Sequence, residues 1–263
     1  VGELRVRATY RPFGGREEAA VDEYGFRVPP AHAKNCRAHR RSLAKDGAMW
    51  VAQWNALMRR ARCGEPLPDE ARSLGLSLLA HGVPPQHRAH VWMSLTGALA
   101  LRRASRRSYW EMAADAEAVV TVHSKQVDSD LPRTFPQHAD FGDDGPTRTA
   151  LRRILVTYAS FNVSVGYCQS LNFVAAVLLL VAGEEGAFWL LAALCSRVIP
   201  DYHTHQMAGL RADTPLLTEL VGRTMPQLAS HFSDLEVPLE ILGSQWFLCM
   251  YANVLPTASL LRV

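Results

Sequence analysis

The sequence lacks G-x-x-x-x-G-K-[ST], G-x-G-x-x-G and G-x-S-x-G, so neither a glycine-rich nucleotide cradle nor a hydrolase nucleophile elbow is expected in it. Any phosphate chemistry would have to use a nucleotide carried by a partner. Charge of one sign is not in excess: 28 basic against 25 acidic residues leave +3, too even to make nucleic acid the main partner. Cysteine is sparse and scattered. The five thiols, Cys36, Cys63, Cys168, Cys195 and Cys249, form no C-x-x-C pair, which suits reduced cysteines in a cytosolic protein and no disulfide framework. The first residues have no apolar h-region, so no secretory signal is expected. Residues 154–183 carry no charge, but Asn162, Gln169 and Asn172 interrupt them, and the strictly apolar part, 173–183, is too short to cross a bilayer. A buried helix pair rather than a transmembrane segment follows. Nor does any segment alternate with period two between hairpin turns, so strands are not expected.

What is present is helical periodicity. Hydrophobic residues at 48% and charged residues at 20% describe a globular chain, and 263 residues suffice for one large domain or two small ones. Residues 1–44, with Gly14-Gly15 and Pro29-Pro30, read as an irregular arm; within it Asp22 to Phe26 is either a small docking element or a turn. Trp50, Trp54, Leu57, Met58 and Ala61 share one face of a helix over 47–62, and a second helix covers 69–80. Pro84-Pro85 opens a third that carries Arg88 and Trp92 as i,i+4 neighbours, a packing pair, and runs through Leu95 and Leu99 to Arg102-Arg103. Arg102, Arg103, Arg106 and Arg107 are either a solvated helix end or a patch for an acidic partner. Further helices are expected over 109–122, over 147–162 with Leu151, Ile154, Leu155, Tyr158 and Phe161 inward, over 167–182 and 184–199 divided by Gly183, from Thr214-Pro215 to Pro226, and over 238–253. The fold class is therefore all-α.

Three places could carry chemistry. His203 and His205 beside Asp201 offer metal-type ligands, but without H-E-x-x-H, and Cys168 has no basic neighbour to lower its pKa. The third is the stretch 127–134. Pro132 and Pro136 stiffen a short non-helical segment around Arg133, and Asp130 is near enough to hold one side of its guanidinium while other donors stay free for a partner's phosphate. Taken alone, Arg133 could equally be an ordinary surface arginine. Gln169, taken alone, could be a polar residue satisfying a local hydrogen bond at a helix start.

Read together, these stretches closely resemble a TBC domain, the module of Rab GTPase-activating proteins. That family carries R-x-x-x-W, then I-x-x-D-x-x-R-T, then G-Y-x-Q. Arg88 and Trp92 match the first; Val127, Asp130, Arg133 and Thr134 match the second, with valine for isoleucine; Gly166, Tyr167 and Gln169 match the third, and Asn172 the asparagine that follows. Val165 and Ser170 depart from the serine and glycine more usual there. Weaker agreement is found at Gly82-Val83-Pro84, Phe188-Trp189, Asp201-Tyr202, Trp246-Phe247 and Leu255-Pro256.

The resemblance implies a TBC-domain helical fold of two helical subdomains over 45–263, following the arm at 1–44. It also implies that residues 260–263 lie in a helix the family extends, leaving the C-terminal part incomplete and apolar area exposed. By the same resemblance the chain accelerates GTP hydrolysis by a Rab in its GTP state. Arg133 is the arginine finger and Gln169 the glutamine finger; Asp130, Thr134, Tyr167, Gly166, Asn172, Arg88 and Trp92 support them. No cofactor or metal of its own is implied, since GTP and magnesium are carried by the partner GTPase. Cytoplasmic localisation with recruitment to endomembranes in vesicle transport follows, with no nucleic acid partner. The alternative is a non-catalytic Rab-binding adaptor; a helical scaffold without a GTPase partner would leave Asp130, Arg133 and Gln169 unexplained.

Overall fold

A spacing of four puts Trp50 and Trp54 on one side of a helix, and both indole N–H groups donate to the Gly82 carbonyl at 3.1 Å. That contact fastens the first helices to the start of the larger bundle. It is seen in a computed structural model that describes residues 21–22, 24–27, 49–59, 67, 69–79, 82–142 and 145–263. Most of the arm at 1–44, together with Cys36, Ala61 and Cys63, lies outside the described residues. The helices are α1 (49–59), α2 (Asp69–Leu78), α3 (Pro85–Leu95), α4 (Ala98–Ala104), α5 (Tyr109–Glu117), α6 (Val122–Asp130), α7 (Pro146–Phe161), α8 (Leu171–Ala193), α9 (Ala208–Thr224), α10 (Pro226–Asp234), α11 (Leu239–Leu248) and α12 (Thr257–Arg262). Among the described residues β structure is confined to two isolated bridges, Val21 with Arg27 and Phe26 with His138, so the chain is all-α.

The core forms around α8. Its sequence is apolar nearly all round, the pattern of a helix buried on every side, and it packs against α3, α4, α5 and α7. By length and composition Leu171–Val198 could cross a membrane, yet more than half of its most apolar window is buried inside the protein. Gly183, at φ 69° and ψ 178°, divides it into two helices, as expected from the sequence. A second group follows, in which α9 packs against α10 and α11. His203 joins the two groups: it is buried, hydrogen-bonds the Leu248 carbonyl through Nε2 at 3.0 Å, and lies 3.9 Å from Cys195 Sγ. A metal role for His203 and His205 is not supported, because among the described residues no group of three His, Cys, Asp or Glu could hold an ion. Cys168, Cys195 and Cys249 are free thiols, and burial pushes the last two up to about 11.

Several boundaries differ from expectation for identifiable reasons. Thr96 and Gly97 interrupt the expected continuous helix between α3 and α4. The helix expected over 109–122 ends at Glu117, and a reciprocal Thr121–Ser124 capping box starts α6, so residues 127–130 are a last helical turn rather than a non-helical segment. The helix expected from 167 begins at Leu171, since Ser170 is non-helical at φ 114°. The helix expected from 147 starts one residue earlier, opened by Pro146 at its first position. Pro215 lies inside α9 rather than near its start; Arg211 and Pro215 are both on the exposed side, where the carbonyl deprived of a donor meets water. Phe161, expected inward, is 45% exposed and presents its ring to Phe188 and Trp189 edge-on.

Just past the Gly183 break, Glu184 accepts from Tyr109 Oη at 2.7 Å and from Arg153 Nε and Nη2 at 2.6 and 2.9 Å, joining α5, α7 and α8. Burial alone would raise its pKa, but the bonds from Arg153 and Tyr109 outweigh that and hold it below the ordinary 4.5. The stabilisation is therefore complete above that value and fades as pH falls through the lowered one. Glu184→Gln should cost about 2 kcal/mol at neutral pH. Unfolding followed by circular dichroism against pH should show the gap between variant and parent closing in acid.

Candidate functional site

Two short segments meet where α6 ends and α8 begins. The first follows from the helix stop. After Asp130 the backbone tightens into a 3₁₀ turn, Leu131–Arg133, whose second residue, Pro132, has no N–H to leave unpaired. Thr134 closes it, donating Oγ1 to the Asp130 carbonyl at 2.9 Å while its N–H reaches the Leu131 carbonyl at 3.1 Å. Phe135 then takes φ 46°, an uncommon conformation for a bulky side chain. The second segment leaves α7 at Asn162. The carbonyl of Asn162 accepts from the N–H groups of Val165 and Gly166, and the Tyr167 N–H reaches His123 Nδ1 on α6 at 3.3 Å. Gly166 takes φ 61°, and a Cβ there would lie 2.6 Å from the His123 ring, so a side chain would strain the backbone and displace the imidazole.

The two segments are joined through Asp130, which is 4% exposed. Its Oδ1 accepts from Arg133 Nη2 at 2.5 Å and its Oδ2 from Tyr167 Oη at 2.6 Å. A second link is parallel to the first: Asn172 donates Nδ2 to Thr134 Oγ1 at 2.8 Å and accepts from the Ser170 N–H at 3.2 Å. Thr134 and Asn172 are fully buried, as expected of polar groups that satisfy each other. Burial, then the bond to Asp130, pushes the Tyr167 phenol well above the usual range, so it remains a neutral donor. The Arg133 side chain is 51% exposed despite its bond to Asp130. Gln169 is exposed two residues beyond Tyr167, and its carboxamide makes no local hydrogen bond among the described residues. A guanidinium and a carboxamide are thus offered to solvent from adjacent, mutually braced segments. Cys168 is unsuited to be a nucleophile, because burial raises its thiol pKa.

Arg88 and Trp92 are placed differently from the expected pair. Arg88 is nearly buried, and a buried guanidinium needs acceptors. Its Nη2 donates to the Val83 carbonyl at 3.1 Å and its Nη1 to Tyr24 Oη at 3.3 Å, while the guanidinium lies 5.6 Å from the Tyr24 ring centre. Trp92 packs instead against the apolar core. The basic residues in the last turn of α4 and just beyond it are partly satisfied at home: Arg102 faces Glu185 at 3.6 Å, and Arg107 pairs with Asp115 at 2.5 Å. Sequence reasoning missed His123, Phe135 and His138. Each acts through partners distant in the chain, and no local motif marks them.

The scaffold is all-helical, and it carries an arginine turn and a glutamine loop braced on one carboxylate. Residues 85–263 match the Rab-GTPase-TBC domain family, and the chain belongs to it. It is 37% identical over 251 residues to growth hormone-regulated TBC protein 1 of Homo sapiens, covering 92% of this chain and 71% of that one. The Xenopus laevis protein of the same name is 36% identical over 255 residues, covering 92% and 70%. Among solved structures, the Chlamydomonas flagellar RabGAP TBC domain superposes with a TM-score of 0.76 at 29% identity, over 92% of this chain and 79% of that chain. The Ypt/Rab-GAP domain of Gyp1p shares the fold, with a TM-score of 0.65 at 18% identity over 81% and 77%.

Ser170 sits at φ 114° with a buried hydroxyl that makes no well-formed hydrogen bond. Ser170→Gly should relieve this and stabilise the protein by about 1 kcal/mol, a rise of a few degrees in Tm by calorimetry.

Proposed function

We propose that this chain is a GTPase-activating protein for a Rab small GTPase, supplying Arg133 and Gln169 in trans. The observation that carries the proposal is the buried Asp130 carboxylate, which holds the turn bearing Arg133 and the loop bearing Gln169 with one oxygen each. The nucleotide and its magnesium ion belong to the partner. Phosphoryl transfer asks for positioning and charge stabilisation rather than covalent chemistry, which fits a site with no activated nucleophile. Arg133, held through a single Nη, directs its remaining donors at the charge developing on the transferred phosphoryl group. Gln169 orients the attacking water. Asp130 and Thr134 fix the first group, and Tyr167 and Asn172 fix the second. The protein acts in the cytoplasm and reaches endomembranes through the Rab it binds, in vesicle transport.

The test is phosphate release from a panel of GTP-loaded Rab proteins. Arg133→Ala should lower the accelerated rate by about 10³-fold or more. Gln169→Ala should lower it by about 10²-fold, with binding of the GTP-loaded Rab retained in both variants. A fluoride mimic of the transferring phosphate should tighten the complex of the parent protein and not that of Arg133→Ala. Equal rates for parent and variants, with binding intact, would leave a Rab-binding adaptor.

A further inference from the structure

Residues 21–22 and 24–27 form a small hairpin that precedes the matched segment 85–263. Asp22 organises it: its Oδ1 accepts from the Tyr24 and Phe26 N–H groups at 2.9 Å each, its N–H donates to the Phe26 carbonyl at 2.8 Å, and Val21 bridges Arg27. The sequence left this stretch open as a docking element or a turn; it is both. The hairpin is seated on the residues that immediately follow Arg133. Phe26 forms an antiparallel bridge with His138, and its ring lies 5.0 Å from Phe135 and 4.5 Å from His138, both edge-on. His138 Nε2 pairs with the Tyr24 carbonyl at 2.6 Å. The contact is tight at Gly25, where a Cβ would lie 2.6 Å from His138 Nε2. On its other side Tyr24 meets the buried Arg88.

Phe135 is the residue such a brace would serve. It is two positions past the finger, in a left-handed conformation that a bulky side chain adopts only when its surroundings enforce it. Those surroundings are aromatic: Phe173 at 5.4 Å, Phe141 at 6.1 Å, and Phe26 at 5.0 Å. Phe173 and Phe141 belong to the bundle and its neighbouring turn; Phe26 alone comes from the hairpin.

We propose that this hairpin is a positioning strut for the Arg133 turn, with Phe26 as the positioning residue: by holding Phe135 and His138 it fixes where Arg133 is presented. The inference rests on the GTPase-activating reading and concerns residues that precede the matched segment 85–263. Because Phe26 acts through the turn and not on the partner, its removal should slow the accelerated step and leave recognition of the Rab unchanged.

The experiment uses the full chain, the Rab that the panel shows to be accelerated, and a double-mutant cycle. Phe26→Ala should lower kcat for Rab GTP hydrolysis by about tenfold to a hundredfold, as expected for a small displacement of a reacting group, with KM unchanged. Phe26→Leu, which keeps apolar bulk, should recover most of the rate. In the Arg133→Ala background Phe26→Ala should cause no further loss, because its effect runs through the missing guanidinium. Should Phe26→Ala fold poorly, Asp22→Ala loosens the hairpin without touching the core and should give the same pattern. The proposal is overturned if Arg133→Ala is inactive while Phe26→Ala keeps full kcat, or if the two losses multiply. If the parent chain accelerates no Rab, the GTPase-activating reading falls instead, and the strut's catalytic role with it.

Discussion

A carboxylate taken out of water must be compensated by donors, and the site is arranged around that requirement at Asp130. The donors come from two directions, Arg133 three residues on and Tyr167 from a loop 37 residues away in sequence. Neither could leave without stranding its own oxygen of the carboxylate unpaired in the interior, so the two segments are held as a unit. Thr134 and Asn172 repeat the device with neutral groups one step further into the core.

Among the described residues a tyrosine, a carboxylate and an arginine meet both at Glu184 and at Asp130, and the two sites differ in how much of the arginine stays exposed. At Glu184 the arginine is engaged in a two-point fork through Nε and Nη2, and its side chain is only 27% exposed. At Asp130 the arginine is engaged through one Nη2 and is 51% exposed. The first triad spends its charge on joining three helices. The second uses a buried anion to orient a cation that still faces water.

How much was legible depended on whether the cause was local. The apolar face of α1, the buried character of α8 and its break at Gly183 are all short-range consequences of residue type, and each was read from the sequence. The ordered residues Asp130, Arg133, Thr134, Gly166, Tyr167 and Gln169 were legible as motifs, and Asn172 with them. The helical nature of 127–130 was not, because the start signal of α6 is a serine–threonine box rather than an acidic one. The partner of Arg88 was misread for a different reason. Helical spacing favours Trp92, whereas a nearly buried guanidinium is better served by the Val83 carbonyl and by Tyr24, which is 64 residues away.

By itself the sequence determined that the chain is helical, that it holds none of the glycine-rich nucleotide motifs, and which polar residues had to be explained together. These follow from periodicity, from glycine spacing and from motif order, all of which are properties of neighbours in the chain. Only the tertiary structure decided that Asp130 reaches Tyr167, that the His123 ring crowds Gly166, and that Phe26 lies against Phe135. Such contacts are set by how helices pack and by which buried polar atoms remain to be satisfied, and no local pattern encodes either.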